Sequence, residues 1–344
     1  MDLIHQLPSG THYNTFILIF DKVSGNAKVQ YMLVDPGKKA RVVPKVTSVN
    51  MPRLKDRTGF RAVVYDNCLY IIGGKDRESG TCMNTMYKFD PERNTWIRKA
   101  SMIRARTRFT VDAIGGNLIV TGGEVRNGKL TDSVEVYDPV DNIWAEVSPL
   151  PRPRADHGSC VVDGKLLVSG GLSNIKFQCS NVFWMYDPKT DRWRESVKGG
   201  FLPQERDKHV MVTTAKKQIY LVGGVTVDKK TKKKEEGSIC CYEWDPKHAG
   251  TWVTSLPAMF HPRSQCGVVP LGHRLYVIGG HTFEDDRNVT MIEYYNMKKR
   301  KWYECFPLDA EGLYDVDVCV LRVPFENKEF SSLGICMYDR WILW

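Results

Sequence analysis

The fold is decided by residues 154–193, which read RADHGSCVVDGKLLVSGGLSNIKFQCSNVFWMYDPKTDRW. This stretch predicts four short strands, the second of which ends at the pair Gly170–Gly171. Asp163–Gly164 separates the first two strands, and this dipeptide favours the tight turns of β-hairpins. The aromatic third strand ends at Asp187–Pro188, and Trp193 supplies one large apolar face to the fourth. Together these features predict one small antiparallel sheet.

The same pattern occurs five times along the 344 residues. The first glycines of successive pairs lie 49, 48, 53 and 56 residues apart, by subtraction of their numbers. One such sheet cannot bury both of its faces alone, so repeats of this kind stack on each other. The pairs are Gly73–Gly74, Gly122–Gly123, Gly170–Gly171, Gly223–Gly224 and Gly279–Gly280, followed by Trp96, Trp144, Trp193, Trp252 and Trp302.

With its glycine pair, its aromatic-Asp-Pro turn and its tryptophan, the unit resembles the Kelch repeat, whose sheets are the blades of a β-propeller. More narrowly, the chain is similar to the Kelch domain of the Kelch-like (BTB-BACK-Kelch) ubiquitin-ligase adaptors. Their repeats open with Met-Pro or Leu-Pro followed by an arginine, as Met51–Pro52 with Arg57 and Leu150–Pro151 with Arg154 do here. No long helical periodicity precedes the first repeat, so we expect the propeller without the BTB and BACK domains.

The first repeat lacks an initial strand, and a lone strand stands at the other end of the chain. Strands are predicted at Phe16–Phe20, Val29–Val34 and Arg41–Lys45 with none before them, whereas nothing completes the strand Asp315–Val323. An open propeller leaves unpaired strand edges, so these two ends are expected to pair. The expected fold is therefore all-β: a six-bladed Kelch β-propeller with blade one closed by a C-terminal strand. The expected division is a lead-in at 1–15, the propeller at 16–323 and an apolar C-terminal tail at 324–344.

Composition favours a location in the cytoplasm, with the nucleus as an alternative. No apolar run is long enough to span a bilayer, the N-terminus lacks the pattern of a signal peptide, and ten cysteines fit a reducing compartment. The net charge of +9 is partly local, because five lysines cluster in residues 228–236. This segment is a solvated loop, a contact for an acidic partner or a nuclear-import signal. Without a distributed basic face we expect no nucleic-acid and no membrane partner.

Signatures of catalysis and cofactor binding are missing from the sequence. The eight histidines show no HExxH-like or Cys/His ligand spacing, and there is no G-x-S-x-G elbow, P-loop or dinucleotide fingerprint. We therefore expect no catalytic residue, no cofactor and no metal, and a protein that is not an enzyme. Two alternatives stay open: a small-molecule enzyme in the propeller channel, and a Kelch protein that binds actin filaments.

Positions that differ between otherwise equal repeats are the candidate recognition residues, because a repeated residue is architectural. One column lies 14 residues before the first glycine, and the other follows the glycine pair directly. The resemblance to the Kelch-like family implies that the side chains of both columns line the rim of the channel and hold a partner peptide. The candidate partner-binding residues are Lys75, Arg77, Arg108, Glu124, Asp156, His209, Gln265 and His281. Their charges are mixed, so the sequence does not predict an acidic peptide.

The expected function is a protein-interaction module that presents this rim to a partner protein or peptide. By resemblance, the partner is a substrate for ubiquitination, as for the Kelch-like adaptors. The BTB and cullin machinery would then be supplied only in trans.

Overall fold

The computed structural model describes residues 13–34, 47–173, 179–195, 201–227, 234–236, 240–243, 251–254, 256–282, 286–308 and 312–324. Within these residues the ordered elements are β-strands and two single 3₁₀ turns, Pro52–Leu54 and Arg126–Gly128. The expected all-β class and the propeller are confirmed. The described part of the chain contains no helix long and apolar enough to cross a membrane.

Five blades are each continuous in the sequence, and each is a four-stranded antiparallel sheet. Blade A contains Arg61–Tyr65, Cys68–Ile72, Met86–Asp90 and Thr95–Lys99. Blade B contains Thr110–Ile114, Asn117–Thr121, Val134–Asp138 and Ile143–Val147. Blade C contains Gly158–Val162, Lys165–Ser169, Phe183–Asp187 and Arg192–Glu195. Blade D contains Val210–Thr213, Gln218–Val222, Cys240–Glu243 and Thr251–Val253, and blade E contains Gly267–Leu271, Arg274–Ile278, Met291–Asn296 and Lys301–Pro307.

A further four-stranded sheet, the composite sheet, is assembled from both ends of the chain. Its strands in spatial order are Thr47–Asn50, Lys28–Val34, Tyr13–Asp21 and Val316–Pro324. The last two pair antiparallel over nine positions, from Tyr13 opposite Pro324 to Asp21 opposite Val316. The expected closure by a C-terminal strand is therefore confirmed.

The boundaries of the composite sheet differ from the prediction in two places. The first strand begins at Tyr13 rather than Phe16. The outer strand is Thr47–Asn50, while the strand predicted at Arg41–Lys45 lies outside the described residues. So do the expected tail at 324–344, apart from Pro324, and most of the lysine segment.

Short ladders extend four of the blades beyond their glycine pairs. These ladders pair Arg57–Thr58 with Lys75–Asp76, Arg154–Ala155 with Leu172–Ser173, Val225–Val227 with Lys234–Glu236, and His281–Thr282 with Arg287–Asn288. They build the walls of one end of the propeller, where the candidate residues lie.

The strand Tyr13–Asp21 shows how the sheets pack. Side chains alternate between the two faces of a strand. Phe16, Leu18 and Phe20 therefore pack against blade A, in a cluster that includes Leu69 and Ile71. Ile17 and Ile19 face the other way and pack with Tyr276 and Ile278 of blade E. Both faces of this strand are buried, which explains its uninterrupted apolar run. The innermost strands of the six sheets contact one another in a closed ring.

Each repeated arginine binds its own blade through its side chain and the preceding blade through its backbone. The Arg106 guanidinium donates to the carbonyl oxygen of Gly122 in its own blade at 2.8 Å. Its backbone carbonyl accepts from the amide of Gly74 in the preceding blade at 2.9 Å. Only glycine fits at Gly74, because a Cβ there would lie 2.5 Å from the carbonyl oxygen of Thr58 and the backbone φ is +101°. The other repeats use Arg57, Arg154, Arg206 and Arg263 in the same way toward their first glycine.

The tryptophans also join blades. The indole N–H of Trp144 in blade B donates to the carbonyl oxygen of Ala100, just beyond blade A, at 2.9 Å. Trp193 and Trp302 make the equivalent hydrogen bonds to Ser148 and Pro257, each at 2.8 Å. Each indole thus lies between its own blade and the segment that leaves the previous one.

Candidate partner-binding face

One end of the channel is formed by a ring of residues with left-handed backbone. These residues stand two positions after the repeated arginine, just before the innermost strand of each blade, and their φ angles lie between +53° and +55°. Their backbone amides and carbonyls join successive blades: Asp156 N donates to Arg108 O at 3.1 Å, and Lys208 N donates to Asp156 O at 2.8 Å. We call this end of the channel the mouth. The five residues are Gly59, Arg108, Asp156, Lys208 and Gln265.

The ring of hydrogen bonds continues through the composite sheet. Val316 N donates to Gln265 O at 3.0 Å, and Lys22 N donates to Asp315 O at 2.9 Å. Gly59 N donates to Lys22 O at 2.8 Å, and the Thr107 hydroxyl donates to Gly59 O at 2.9 Å. The mouth is therefore held by contacts between every pair of neighbouring sheets. Its side chains project from a rigid frame.

His209 stands one position beyond the ring of left-handed residues, and its imidazole lines the inner wall of the pocket at the mouth. Its side chain is buried between blades C and D, with Nε2 2.8 Å from the Ser169 hydroxyl. Burial, with Arg206 and Arg154 nearby, lowers the pKa of His209 to about 3, so the imidazole is neutral. His157 has the same position one blade earlier, with Nε2 3.1 Å from the Thr110 hydroxyl.

The offset of one position between His209 and the ring has a specific physical cause. Blade D has one extra residue in the turn between its first two strands, where Thr214 N donates to Gln218 O. Counting back from the glycine pair therefore reaches His209 instead of Lys208. Counting forward from the repeated arginine, which is also visible in the sequence, finds Lys208 as the second residue after Arg206.

Four of the candidate residues form one ion-pair network across three blades. Lys75 Nζ lies 2.6 Å from Glu124 Oε1, and Arg108 Nη1 lies 2.8 Å from Glu124 Oε2. The Arg108 guanidinium also donates to both carboxylate oxygens of Asp156, and its Nε lies 3.0 Å from Oδ1 and 3.1 Å from Oδ2. Burial alone would raise the pKa of Glu124, but the hydrogen bonds from Lys75 and Arg108 lower it. The network combines two cations with two carboxylates, so its formal charges cancel.

The remaining candidates lie outside this network. The Arg77 guanidinium donates to the carbonyl oxygen of Ser24, so it ties blade A to the loop of the composite sheet. His281 is buried, with Nε2 3.2 Å from Asp286 and its ring centroid 4.9 Å from that of Tyr314. Gln265 lines the mouth itself.

The mouth encloses a pocket of about 60 Å³ that leads into the central channel. Lys22 and Arg61 line it, although the sequence did not single out either residue. Lys22 Nζ forms an ion pair with Asp315 at 2.8 Å and joins the two ends of the chain. No local pattern marks this pair, because its partners meet only when the ring closes.

The channel beyond the mouth has a volume of about 460 Å³ and is lined by the innermost strands. Most of its wall is apolar, and its polar side chains include Arg61, Asp112, Ser159 and Asp317. Burial raises the pKa of Asp112 to about 6, although the Ser159 hydroxyl donates to its carboxylate. Among the described residues, no group of histidine, cysteine or acidic side chains has the arrangement of a metal site.

Comparisons with known proteins agree with this architecture. The family model described as the KLHDC2/KLHL20/DRC7 Kelch-repeats domain matches residues 24–224, and the Kelch motif matches residues 262–305. Kelch-like protein 36 from Bos taurus is 28% identical over 282 residues, which cover 81% of this chain and 44% of that protein. Kelch-like protein 26 from Danio rerio is 27% identical over 244 residues, covering 70% and 38%. This chain thus spans less than half the length of these two relatives.

A solved structure titled "Structure of YjhT" superimposes with a TM-score of 0.64. It is 16% identical in sequence and covers 81% of this chain and 95% of its own. At this identity the likeness concerns the fold alone.

Proposed function

Because this chain belongs to the family of Kelch-repeat domains, we propose that it binds a segment of a partner protein on the face around the mouth. The composite sheet counts as the sixth blade in this proposal, so that six walls surround the mouth. The single observation that carries the proposal is the network of Lys75, Arg108, Glu124 and Asp156. These residues differ from blade to blade at positions where the repeat fixes the backbone. Lys75, Arg108 and Asp156 lie partly exposed on one rigid frame, and the buried Glu124 binds two of them.

The finer proposal is that the partner is a substrate of a ubiquitin ligase. The similarity to Kelch-like proteins supports it, and the cullin machinery would be engaged through a BTB domain supplied in trans or elsewhere in a longer protein. A cytoplasmic location is consistent with the cysteines: Cys68, Cys82, Cys160, Cys179, Cys266, Cys305 and Cys319 are all free thiols.

Substitution of Arg108 tests the binding face. Partners are captured in cells by proximity labelling, and the affinity of the purified partner for the propeller is then measured by isothermal titration. Arg108→Gln should weaken binding by on the order of 2 kcal/mol, the cost of losing a central interface arginine. Arg104→Gln is the matched control, because Arg104 is an exposed arginine of the same blade linker whose Nε lies 3.0 Å from Glu146. Equal affinities for both variants would place the interface elsewhere. Co-purification of a cullin with the captured complex tests the adaptor role.

Actin binding is a separate outcome of the same experiment. If proximity labelling captures actin, the purified propeller is then sedimented with actin filaments. Co-sedimentation would favour a cytoskeletal role over the adaptor role.

Small-molecule chemistry in the channel is the second candidate function, and one observation favours it. Asp112 carries a carboxyl with a raised pKa at the wall of a cavity of about 460 Å³ that also presents Arg61. Raised carboxyl pKa values suit general acid catalysis. Soaking the protein in a library of small metabolites, with Asp112→Asn as the comparison, tests this candidate. Saturable binding that Asp112→Asn abolishes would favour it, while partner binding through the mouth should be unaffected by Asp112→Asn.

A further inference from the structure

Cationic side chains outnumber carboxylates in the pocket at the mouth. Its lining includes four cationic side chains and two carboxylates. His157 and His209 also line the pocket, but burial lowers the pKa of both, so they add no charge at neutral pH. The cationic residues are Lys22, Arg61, Arg108 and Lys208, and the acidic ones are Asp156 and Asp315.

Two of the four cations are already compensated. The Arg108 guanidinium binds Glu124 and both oxygens of Asp156. Lys22 is 5% exposed and binds Asp315 at 2.8 Å. Both carboxylates of the pocket are therefore used by these two cations, and neither is available to the others.

The other two cations have weaker compensation. In the part of the chain that the structure describes, Lys208 forms no ion pair, although its side chain is half-buried at the mouth. Arg61 donates from Nε to the carbonyl oxygen of Phe109 at 2.5 Å. Its Nη1 stays 3.9 Å from Asp317 Oδ2, which already accepts from the amide of Ala62 at 3.0 Å. Strong charge-assisted hydrogen bonds are about 2.7–2.9 Å long, so the Arg61–Asp317 contact is loose.

We propose that this pocket is an anion site that takes the acidic group of a partner side chain between Lys208 and Arg61. The inference rests on the proposed binding of a partner segment and names the chemistry which that segment must carry. A carboxylate would complete the charge-assisted hydrogen bonds that both cations lack, and burial beside the neutral histidines would strengthen them.

The size of the pocket restricts how the anion is presented. One water needs roughly 10–15 Å³ on the same measure of volume. The pocket of about 60 Å³ therefore holds a few waters or the tip of one side chain. The acidic group must sit on a flexible or extended peptide segment, since a folded surface could not enter. A glutamate or aspartate carboxylate and a phosphoserine share this chemistry.

Peptide arrays with a degenerate sequence around one defined central residue test the proposal. The central residue is Asp, Glu, phosphoserine, Asn, Gln, Ser or Lys, and the probe is the full chain with a fluorescent label. We expect the acidic arrays to bind about tenfold better than the amide arrays, as for a hydrogen-bonded charge. A larger signal for phosphoserine than for Glu would assign the anion as phosphate, and the reverse would assign it as carboxylate.

Two variants make the test specific. Lys208→Gln should abolish the preference for acidic residues while leaving the melting temperature unchanged, because Lys208 forms no ion pair with any residue that the structure describes. Lys217→Gln is the control: it lies in the same blade beyond the far end of the strand Val210–Thr213 and pairs with Asp163 at 2.6 Å. It should keep the preference.

The outcomes separate this proposal from the one on which it rests. Binding of peptides without any acidic preference, or a preference that survives in Lys208→Gln, would overturn the anion site and leave the partner-binding face standing. Absence of binding to every array would contradict both. Titration with acetate and inorganic phosphate, followed by NMR of the Arg61 guanidinium, provides a peptide-free check, and saturable shifts lost in Lys208→Gln are expected.

Discussion

The Arg106 guanidinium binds the Glu135 carboxylate inside blade B, and both side chains are fully excluded from solvent. The Glu135 carboxylate also accepts hydrogen bonds from the backbone amides of Ile103 at 2.7 Å and Arg104 at 3.0 Å. Blade E repeats the arrangement with Arg263, Glu293 and the amides of Phe260 and His261.

In blade C the position equivalent to Glu135 holds an aromatic side chain instead of a carboxylate. Trp184 stands where Glu135 stands in blade B, and the Arg154 guanidinium lies 3.8 Å from its ring. Pro151 takes the place of Ile103, and proline has no N–H to donate. A buried carboxylate at that position would lack one of its donors. The aromatic ring of Trp184 needs no hydrogen bond from a backbone N–H.

Removing Glu135 should therefore destabilise blade B strongly. Glu135→Ala leaves a buried guanidinium without its counter-ion, and such a loss costs about 3–5 kcal/mol of unfolding free energy. Urea denaturation followed by tryptophan fluorescence measures it. The exposed Glu146, whose Oε1 lies 3.0 Å from Arg104 Nε, is the matched control, and Glu146→Ala should cost less than about 1 kcal/mol. Similar losses in the two variants would contradict the role of the buried pair.

Trp144→Ala should lower the unfolding free energy by about 3 kcal/mol. The substitution removes the indole hydrogen bond to Ala100 and a ring contact with Tyr137 at a centroid distance of 5.2 Å. Trp144→Phe keeps most of the apolar contact and should recover part of the loss. If Trp144→Ala unfolded at the same urea concentration as the unaltered chain, the tryptophans would not be inter-blade contacts.

Two truncations test the closure of the ring. Ending the chain before Val316 removes the inner strand of the composite sheet and exposes the paired edge of Tyr13–Asp21. Cooperative thermal unfolding should be lost. Ending the chain after Pro324 keeps every strand of that sheet and serves as the control for loss of the tail. A single sharp transition in the shorter protein would show that closure is dispensable.

The buried histidines should make stability fall in acid. The pKa of His209 is lowered to about 3 in the folded chain, chiefly by burial, while unfolded histidine titrates near 6.5. As pH falls below about 6.5 the unfolded chain takes up the proton first, so unfolding becomes easier. From pH 7 to pH 5 the loss should be about 2 kcal/mol for this residue.

The variant His209→Phe separates the contribution of His209 to the pH dependence of stability from the contributions of other groups that titrate in the same range. Phenylalanine occupies the same position in two other repeats, at Phe60 and Phe109, and is buried there. Asp112 acts in the opposite direction, because its pKa is raised to about 6 and its protonation favours the folded chain below that pH. Urea midpoints at pH 7 and pH 5 should therefore differ less for His209→Phe than for the unaltered chain. Parallel pH profiles would exclude His209 as the cause.

The burial of His281 restricts the choice of residues for binding experiments. His281 is buried against Tyr314, so a double substitution of Arg108 and His281 would mix binding with folding. Lys208, which forms no ion pair with any described residue, is the residue of the mouth at which affinity can be altered with least effect on the frame, whereas Arg108 variants need a parallel measurement of stability.

The repeating sheet, the glycine pair and tryptophan of each unit, and the strand that closes the ring were all predictable from the sequence. These features depend on local chemistry: alternation along a strand, positive φ at glycine, and one large ring per unit. Even the composite sheet was predictable, because the first repeat lacks its initial strand and the C-terminal end of the chain carries one strand that belongs to no other sheet.

Which side chains meet at the mouth depends on how the blades are arranged around the ring. Lys75 and Glu124 are 49 residues apart, and Arg108 and Asp156 are 48 apart, so each pair meets only because neighbouring blades place equivalent positions side by side. Lys22 and Asp315 meet only after both ends enter one sheet. Because a turn of blade D has one extra residue, Lys208 occupies the ring of left-handed residues at the mouth, and the next residue, His209, is buried between blades. The physical reason is that consecutive residues of a strand point to opposite sides, so an error of one position exchanges a rim residue for a buried one.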